Sequence, residues 1–187
     1  HVIDLSRFEL DNKFLEGTGS MVLDRENKLA YACLSPRTNA EVLLAFCQHL
    51  GYTPVAFNAT DSNGKAIYHT NVMMCVGSKF AVICLDSIGD EQEKQAVITS
   101  LENTGKQIIA ITHEQMNHFA GNMLEVKNKE NKSLLVMSKS AHDSLTEDQV
   151  AALEKYAKIV SADLTTIETI GGGSARCMLA EIHLPIA

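Results

Sequence analysis

The chain has 187 residues, 45% hydrophobic and 21% charged, and its 16 Lys and Arg against 23 Asp and Glu leave a net charge of −7. That size and apolar content suit one globular domain and exclude global disorder, and no apolar run reaches the roughly 18 residues of a membrane-spanning helix. An acidic chain with no Lys/Arg block lacks the electrostatic footprint of a nucleic-acid binder, so neither nucleic acid nor a membrane is an expected partner.

In chain order, residues 20–24 and 28–34 flank the polar turn Arg25-Glu26-Asn27 and read as a β-hairpin. A helix over 39–50 follows, with Asn39 as N-cap, Val42, Leu43, Phe46 and Leu50 at helical spacing, and Gly51 placed to end it. Pro54-Val55-Ala56-Phe57 reads as one more strand. The same order recurs: strands at 72–76 and 80–85 around Gly77-Ser78-Lys79, a helix over 90–104, and a strand at 107–111. A third copy has strands at 123–126 and 133–137, a helix from the capping-box pattern Thr146-Glu147-Asp148-Gln149 to about 157, and a last strand at 164–168. The first strands start at 20, 72 and 123, about 52 residues apart, the scale of a repeated supersecondary unit.

The pattern predicts an α/β protein of three ββαβ units, over about 14–58, 66–112 and 120–169, with a final strand over 177–184 that would open a further unit. No Pro/Gly/Ser-rich linker separates them, so they count as one domain. Such units bury their apolar faces against one another. Three and a fraction do not obviously close a ring, which leaves apolar flanks for a second copy or a partner segment to cover. The chain begins at His1 with nothing resembling a signal peptide, and reads as a fragment or a processed piece. Cys33, Cys47, Cys75 and Cys84 sit inside apolar patterns, as buried free thiols of a reducing, cytoplasmic setting do.

Polar groups collect in the loops entering the first strands: Glu16 in 14–20, His69 and Asn71 in 68–72, and Asn122 in 120–123. Units set around an axis would bring these loops together at one end. The run Gly171-Gly172-Gly173-Ser174-Ala175-Arg176-Cys177 is a fourth candidate. Three glycines suit a sharp bend or a ligand close to the backbone, and Cys177, at the start of the expected final strand, suits a nucleophile better than a mid-strand thiol. Each residue also has a plainer reading. Cys177 alone could be a small buried hydrophobe, His69 a surface or satisfied core imidazole, and Glu16 a solvated carboxylate. Arg37 could sit in a turn with Pro36, and Asn122 could simply satisfy backbone groups.

Glu16-Gly17, Ser35-Pro36-Arg37-Thr38-Asn39, His69-Thr70-Asn71 and the 171–177 run, in this order on a ββαβ repeat, resemble the guanidino-modifying penteins. These are the arginine deiminases, dimethylarginine hydrolases and amidinotransferases, and the resemblance is closest to the bacterial citrulline-utilisation hydrolase branch. It implies a five-bladed pseudosymmetric α/β propeller, of which this chain would be about three blades plus a terminal strand, lacking its N-terminal blades. It also implies that Cys177 attacks a guanidino or ureido carbon, that His69 protonates the leaving nitrogen and then activates water, and that Glu16 holds substrate nitrogens. Arg37 would grip the α-carboxylate of an amino-acid substrate. Arginine-specific relatives carry Asp two residues after the His, where this chain has Asn71. A neutral amide suits a ureido group, which tilts the expectation from arginine to citrulline, cleaved to ornithine, ammonia and carbon dioxide. Amidino transfer, deimination of arginine or dimethylarginine, and a non-catalytic binding or oligomerising module stand as alternatives. The sequence has neither a zinc spacing nor a nucleotide fingerprint, so no metal and no cofactor is expected.

Overall fold

The computed structural model describes residues 2–181. After a 3-10 turn at Ser6–Asp11, the first unit runs from α1 (Gly17–Ser20) through the hairpin β1 (Val22–Asp24) and β2 (Leu29–Cys33) to α2 (Ala40–Leu50) and β3 (Thr53–Phe57). The second has α3 (Thr70–Met73), β4 (Met74–Val76), β5 (Phe80–Ile83), α4 (Glu91–Asn103) and β6 (Gln107–Ala110). After α5 (His113–Asn117), the third has β7 (Leu124–Lys127), β8 (Ser133–Ser138), α6 (Lys139–Ser144), α7 (Glu147–Glu154) and β9 (Lys158–Ala162), and α8 (Thr165–Gly171) follows. Each unit is a separate three-stranded sheet whose first two strands pair antiparallel and whose third pairs parallel to the second. Helix α2, α4 or α7 makes the crossover that a parallel pair requires. The mixed α/β architecture of repeated ββαβ units stands as expected, and the three sheets do not close into a barrel.

Local signals set the helix ends. Asn39 accepts hydrogen bonds from the N–H groups of Glu41 and Val42, and Asp90 does the same for Gln92 and Glu93, each such cap being worth about 1 kcal/mol. Gly51 ends α2 in the left-handed region at φ 69°. Thr112 and Thr146 form reciprocal capping boxes with Gln115 and Gln149. The two glutamines also bond to each other at 2.6 Å, tying α5 to α7.

Tyr31, Phe57, Met73, Met74, Phe80, Leu101, Met123 and Leu135 are fully buried in one core that crosses all three sheets. The first strands β1, β4 and β7 line a shared cavity of about 590 Å³ with Asn71 and Arg176 in its wall. At the far end of β1 the Asp24 carboxylate meets Lys106 Nζ at 3.0 Å, with both side chains almost wholly buried (3% and 1% exposed). The Lys106 ammonium also donates to the Ser78 carbonyl, so the pair pins the first unit to the hairpin turn of the second. Glu125 repeats the device one unit on, accepting from the backbone N–H and hydroxyl of Ser78.

Two expected strands fail beyond β8. The strand is Lys158–Ala162, not 164–168, which instead begins α8. The β-branched run Thr165-Thr166-Ile167 favours a strand locally. The parallel ladder along β8 is filled by 158–162, however, and Asp163 Oδ1 accepts from the N–H and hydroxyl of Thr165, starting a helical turn. The expected final strand over 177–184 is also absent where the chain is described. Residues Ala175–Met178 form a 3-10 turn and 179–181 pair with no strand, while 182–184 lie outside the described residues.

Candidate active site

The loop-borne residues meet at the end of the sheets from which β1, β4 and β7 start. Glu16 precedes α1, His69 precedes α3, Asn71 lies within α3, and Asn122 comes two residues before β7. His69 Nε2 and Glu16 Oε2 are 2.7 Å apart. Arg37 Nη1 reaches the same carboxylate oxygen at 3.3 Å from a side chain that is 55% exposed. Partial burial pushes the Glu16 carboxyl up, but the bond from His69 and the Arg37 charge outweigh it and hold Glu16 below the usual carboxylate range. An exposed single-point ion pair of this kind is worth less than about 1 kcal/mol, so Arg37 can leave Glu16 for another anion at little cost.

Cys177 sits in the 3-10 turn rather than on a strand, and of the five cysteines it alone is exposed. Burial pushes the Cys33 thiol up to about 11 and Cys75 to about 12, which leaves them inert. Two amide groups are directed at the Cys177 sulfur, Asn122 Nδ2 at 3.3 Å and Asn71 Nδ2 at 3.7 Å. The glycine run has a specific use. Gly171 closes α8, Gly172 caps it at φ 68°, and the chain turns back so that Gly173 lies against Cys177. Tyr68 joins the two halves of the site: its ring packs 4.9 Å from that of His69 while its hydroxyl donates to the Gly172 carbonyl at 3.4 Å. The imidazole and the thiol therefore belong to segments in direct contact.

Asn122, read from its loop as a candidate substrate contact, reaches the Cys177 sulfur with Nδ2. It is 1% exposed and already engaged: Nδ2 donates to the Asn71 carbonyl at 2.8 Å, and Oδ1 accepts from the N–H of Arg176 at 3.0 Å. It holds the turn bearing Cys177 against α3. Asn71 is also buried, yet its Oδ1 has no partner among the described residues. Next to Asn122, the position of a Cβ on Gly121 would fall 2.4 Å from the Val72 carbonyl oxygen and 2.7 Å from the Met73 carbonyl carbon. Gly121→Ala is therefore expected to push Asn122 away from α3 and to cost about 1–3 kcal/mol, read as a lower urea midpoint at unchanged slope.

Sequence reasoning missed Ser20, Thr70 and Tyr68. Ser20 and Thr70 fall within the quoted loops, but nothing in their spacing shows that their hydroxyls cross between loops. Among the described residues no group of three His, Cys, Asp or Glu side chains could hold a metal, and no helix is long and apolar enough to cross a membrane.

An α/β repeat of this topology is that of the penteins, the superfamily of guanidino-modifying enzymes. Residues 1–184 match the family model described as "N,N dimethylarginine dimethylhydrolase, eukaryotic", and the chain belongs to that family. No curated protein sequence matches it. Among solved structures it resembles ArgZ, an arginine dihydrolase from the ornithine–ammonia cycle in Cyanobacteria, at a TM-score of 0.68 and 17% identity, over 88% of this chain and 24% of that one. AgrE, solved with ornithine and NAD+, gives 0.71 and 19% over 92% and 23%. The amidinotransferase SxtG from Microseira wollei gives 0.57 and 10% over 85% and 42%. At these identities the likeness establishes the fold, and the chain spans about a quarter of the ArgZ and AgrE chains.

Proposed function

We propose that this protein is a thiol-dependent hydrolase of a guanidino or ureido amino acid, with citrulline as its substrate. The observation that carries the reading is the exposed Cys177 sulfur, faced by the Asn71 and Asn122 amides on a segment that contacts the one bearing His69 of the Glu16–His69 pair. The thiol proton passes to His69 as the sulfur forms a bond to the ureido carbon, and the electron pair displaced from the carbonyl goes to its oxygen. When that pair returns, a carbon–nitrogen bond breaks and the leaving nitrogen takes a proton from His69. His69 then removes a proton from water as the water oxygen adds to the same carbon, and the carbon–sulfur bond breaks to restore the thiol. The carbamic acid so formed loses carbon dioxide as its remaining carbon–nitrogen bond breaks, and in sum citrulline and water give ornithine, ammonia and carbon dioxide. The amides supply hydrogen bonds to a sulfur anion, Glu16 orients the imidazole, and Arg37, lightly held, turns to the substrate α-carboxylate. In this reading the three units act as one domain.

Asn71 supports the choice of citrulline. Its unpartnered Oδ1 is a neutral acceptor for a ureido N–H, without the negative charge that would favour a guanidinium. The family's description favours a second substrate, N,N-dimethylarginine. The test is incubation with citrulline, arginine and N,N-dimethylarginine separately, with ornithine, citrulline, ammonia and dimethylamine measured. Ornithine from citrulline, absent with Cys177→Ser, is expected, and equal rates in the two proteins would remove the mechanism. Asn71→Asp is expected to move the kcat/KM ratio of citrulline to arginine by about tenfold or more toward arginine, since a charge-assisted bond is worth about 1.5–3 kcal/mol. An unchanged ratio would return the choice to N,N-dimethylarginine.

A further inference from the structure

Two hydroxyls buried beneath the site connect the loops that bear its residues. Ser20 is wholly buried at the end of α1; its Oγ accepts the backbone N–H of Glu16 at 2.8 Å and donates to the Arg37 carbonyl at 2.8 Å. Thr70, also wholly buried, lies between His69 and Asn71. Its Oγ1 donates to the Ser20 carbonyl at 2.6 Å and accepts the backbone N–H of Cys33, at the end of β2, at 2.8 Å. Each hydroxyl thus uses its one proton and one lone pair on a different segment. Through them α1, the Arg37 turn, β2 and α3 are held in one frame. On the open side of that frame only the 2.7 Å bond joins Glu16 to His69, and the imidazole lies against Gly19, the neighbour of Ser20.

We propose that Ser20 and Thr70 are positioning residues, which set the distance between the Glu16 carboxylate and the His69 imidazole and thereby the rate of the reaction. The proposal rests on the functional reading above for its kinetic consequence, but the geometry of the pair can be read without substrate. Neither hydroxyl touches a ligand. They act because a bond between side chains on two short turns is kept at 2.7 Å only if the turns themselves cannot separate, and a displacement of about 1 Å at a reacting group costs up to about 100-fold in rate.

The experiment uses the full chain bearing Thr70→Val, which keeps the side-chain shape and removes both bonds, with Thr70→Ser as the restoring variant and Ser20→Ala as the independent one. Two quantities are measured: kcat and KM on citrulline, and the titration of the Glu16 carboxyl carbon by NMR. Positioning predicts a fall in kcat of about 10- to 100-fold with KM changed less than about threefold. It also predicts that the Glu16 titration moves up toward the ordinary carboxylate range as the His69 bond weakens, and that Thr70→Ser recovers both. A folded Thr70→Val protein with wild-type kcat, or with a reduced kcat and an unmoved Glu16 titration, overturns the proposal. If Thr70→Val does not fold, Ser20→Ala is judged by the same two outcomes. Should the wild-type chain turn over none of the three substrates, the functional reading fails alone and the Glu16 titration still decides whether the hydroxyls hold the pair.

Discussion

Replacing Cys177 with alanine is expected to lower turnover by roughly 10³-fold or more, because no other group at the site can form the bond to the substrate carbon. The candidates are few. Cys33, Cys47, Cys75 and Cys84 are buried, and desolvation holds each of their thiols above the ordinary value. His69→Ala should cost about 10²–10⁴-fold, the usual worth of a positioned acid–base group. Under the proposed mechanism the two residues act on one adduct, and the double variant should then be no slower than Cys177→Ala. A substrate-free measurement separates access from chemistry: brief treatment of the folded protein with iodoacetamide should give a single adduct by intact mass, absent from Cys177→Ala. Several adducts on the native protein would contradict the burial of the other thiols.

The second large effect is on stability, at the end of the sheets away from the thiol. Lys106→Met leaves the buried Asp24 carboxylate without its cation, and breaking a buried pair by removing one partner costs about 3–5 kcal/mol. That is a large share of the roughly 5–15 kcal/mol by which a domain of ordinary stability is folded. Replacing both partners, as Asp24→Leu with Lys106→Met, should recover most of the loss, since it leaves no uncompensated charge. Acid behaviour follows from the same pair. Burial pushes the Asp24 carboxyl up, but the Asn27 hydrogen bonds and Lys106 outweigh it and leave it below its ordinary value. A carboxyl depressed in the folded state contributes stability that is fully present above its unfolded value, near pH 4, and is lost as pH falls through the lower folded value. In Lys106→Met the desolvation has less to oppose it, so the folded-state Asp24 carboxyl rises and its share of the acid loss should shrink or reverse, narrowing the gap to the wild type as pH falls. Urea midpoints taken between pH 3 and 7 test the sign; curves that stay parallel would show that Lys106 does not set it.

Much of this was legible in the residues because it is local. Asn39, Asp90 and Thr146 act on N–H groups two or three positions away, and a hairpin needs only its turn and the alternation on either side. Glu16, His69 and Asn122 were legible by type and loop position, as polar side chains just ahead of equivalent strands, whereas Cys177 and Asn71 were singled out through the glycine run and the family resemblance. The third strand of the last unit was not. Residues 158–162 and 164–168 compete for one place along β8, and local preference favours the β-branched segment that lost. The turn carrying Cys177 was misread as a strand for a related reason: Asn122, some fifty residues earlier, grips the Arg176 N–H and the sulfur from a position that no window around Cys177 contains.

By itself, then, the order of residues determined three ββαβ units, their helix caps and the loops that bear the reactive groups, all through interactions spanning a few residues. Tertiary structure alone decided which segment completed the third sheet, that Asn122 holds the cysteine turn, and that Ser20 and Thr70 bind Glu16 and His69 into one frame. Those outcomes depend on hydrogen bonds between positions 17 to 55 residues apart, such as Ser20 to Arg37, the paired residues of β8 and β9, Cys33 to Thr70 and Asn122 to Cys177. Such bonds exist only once the sheets have packed, because a polar group with no partner within its own turn takes whatever the neighbouring unit places beside it.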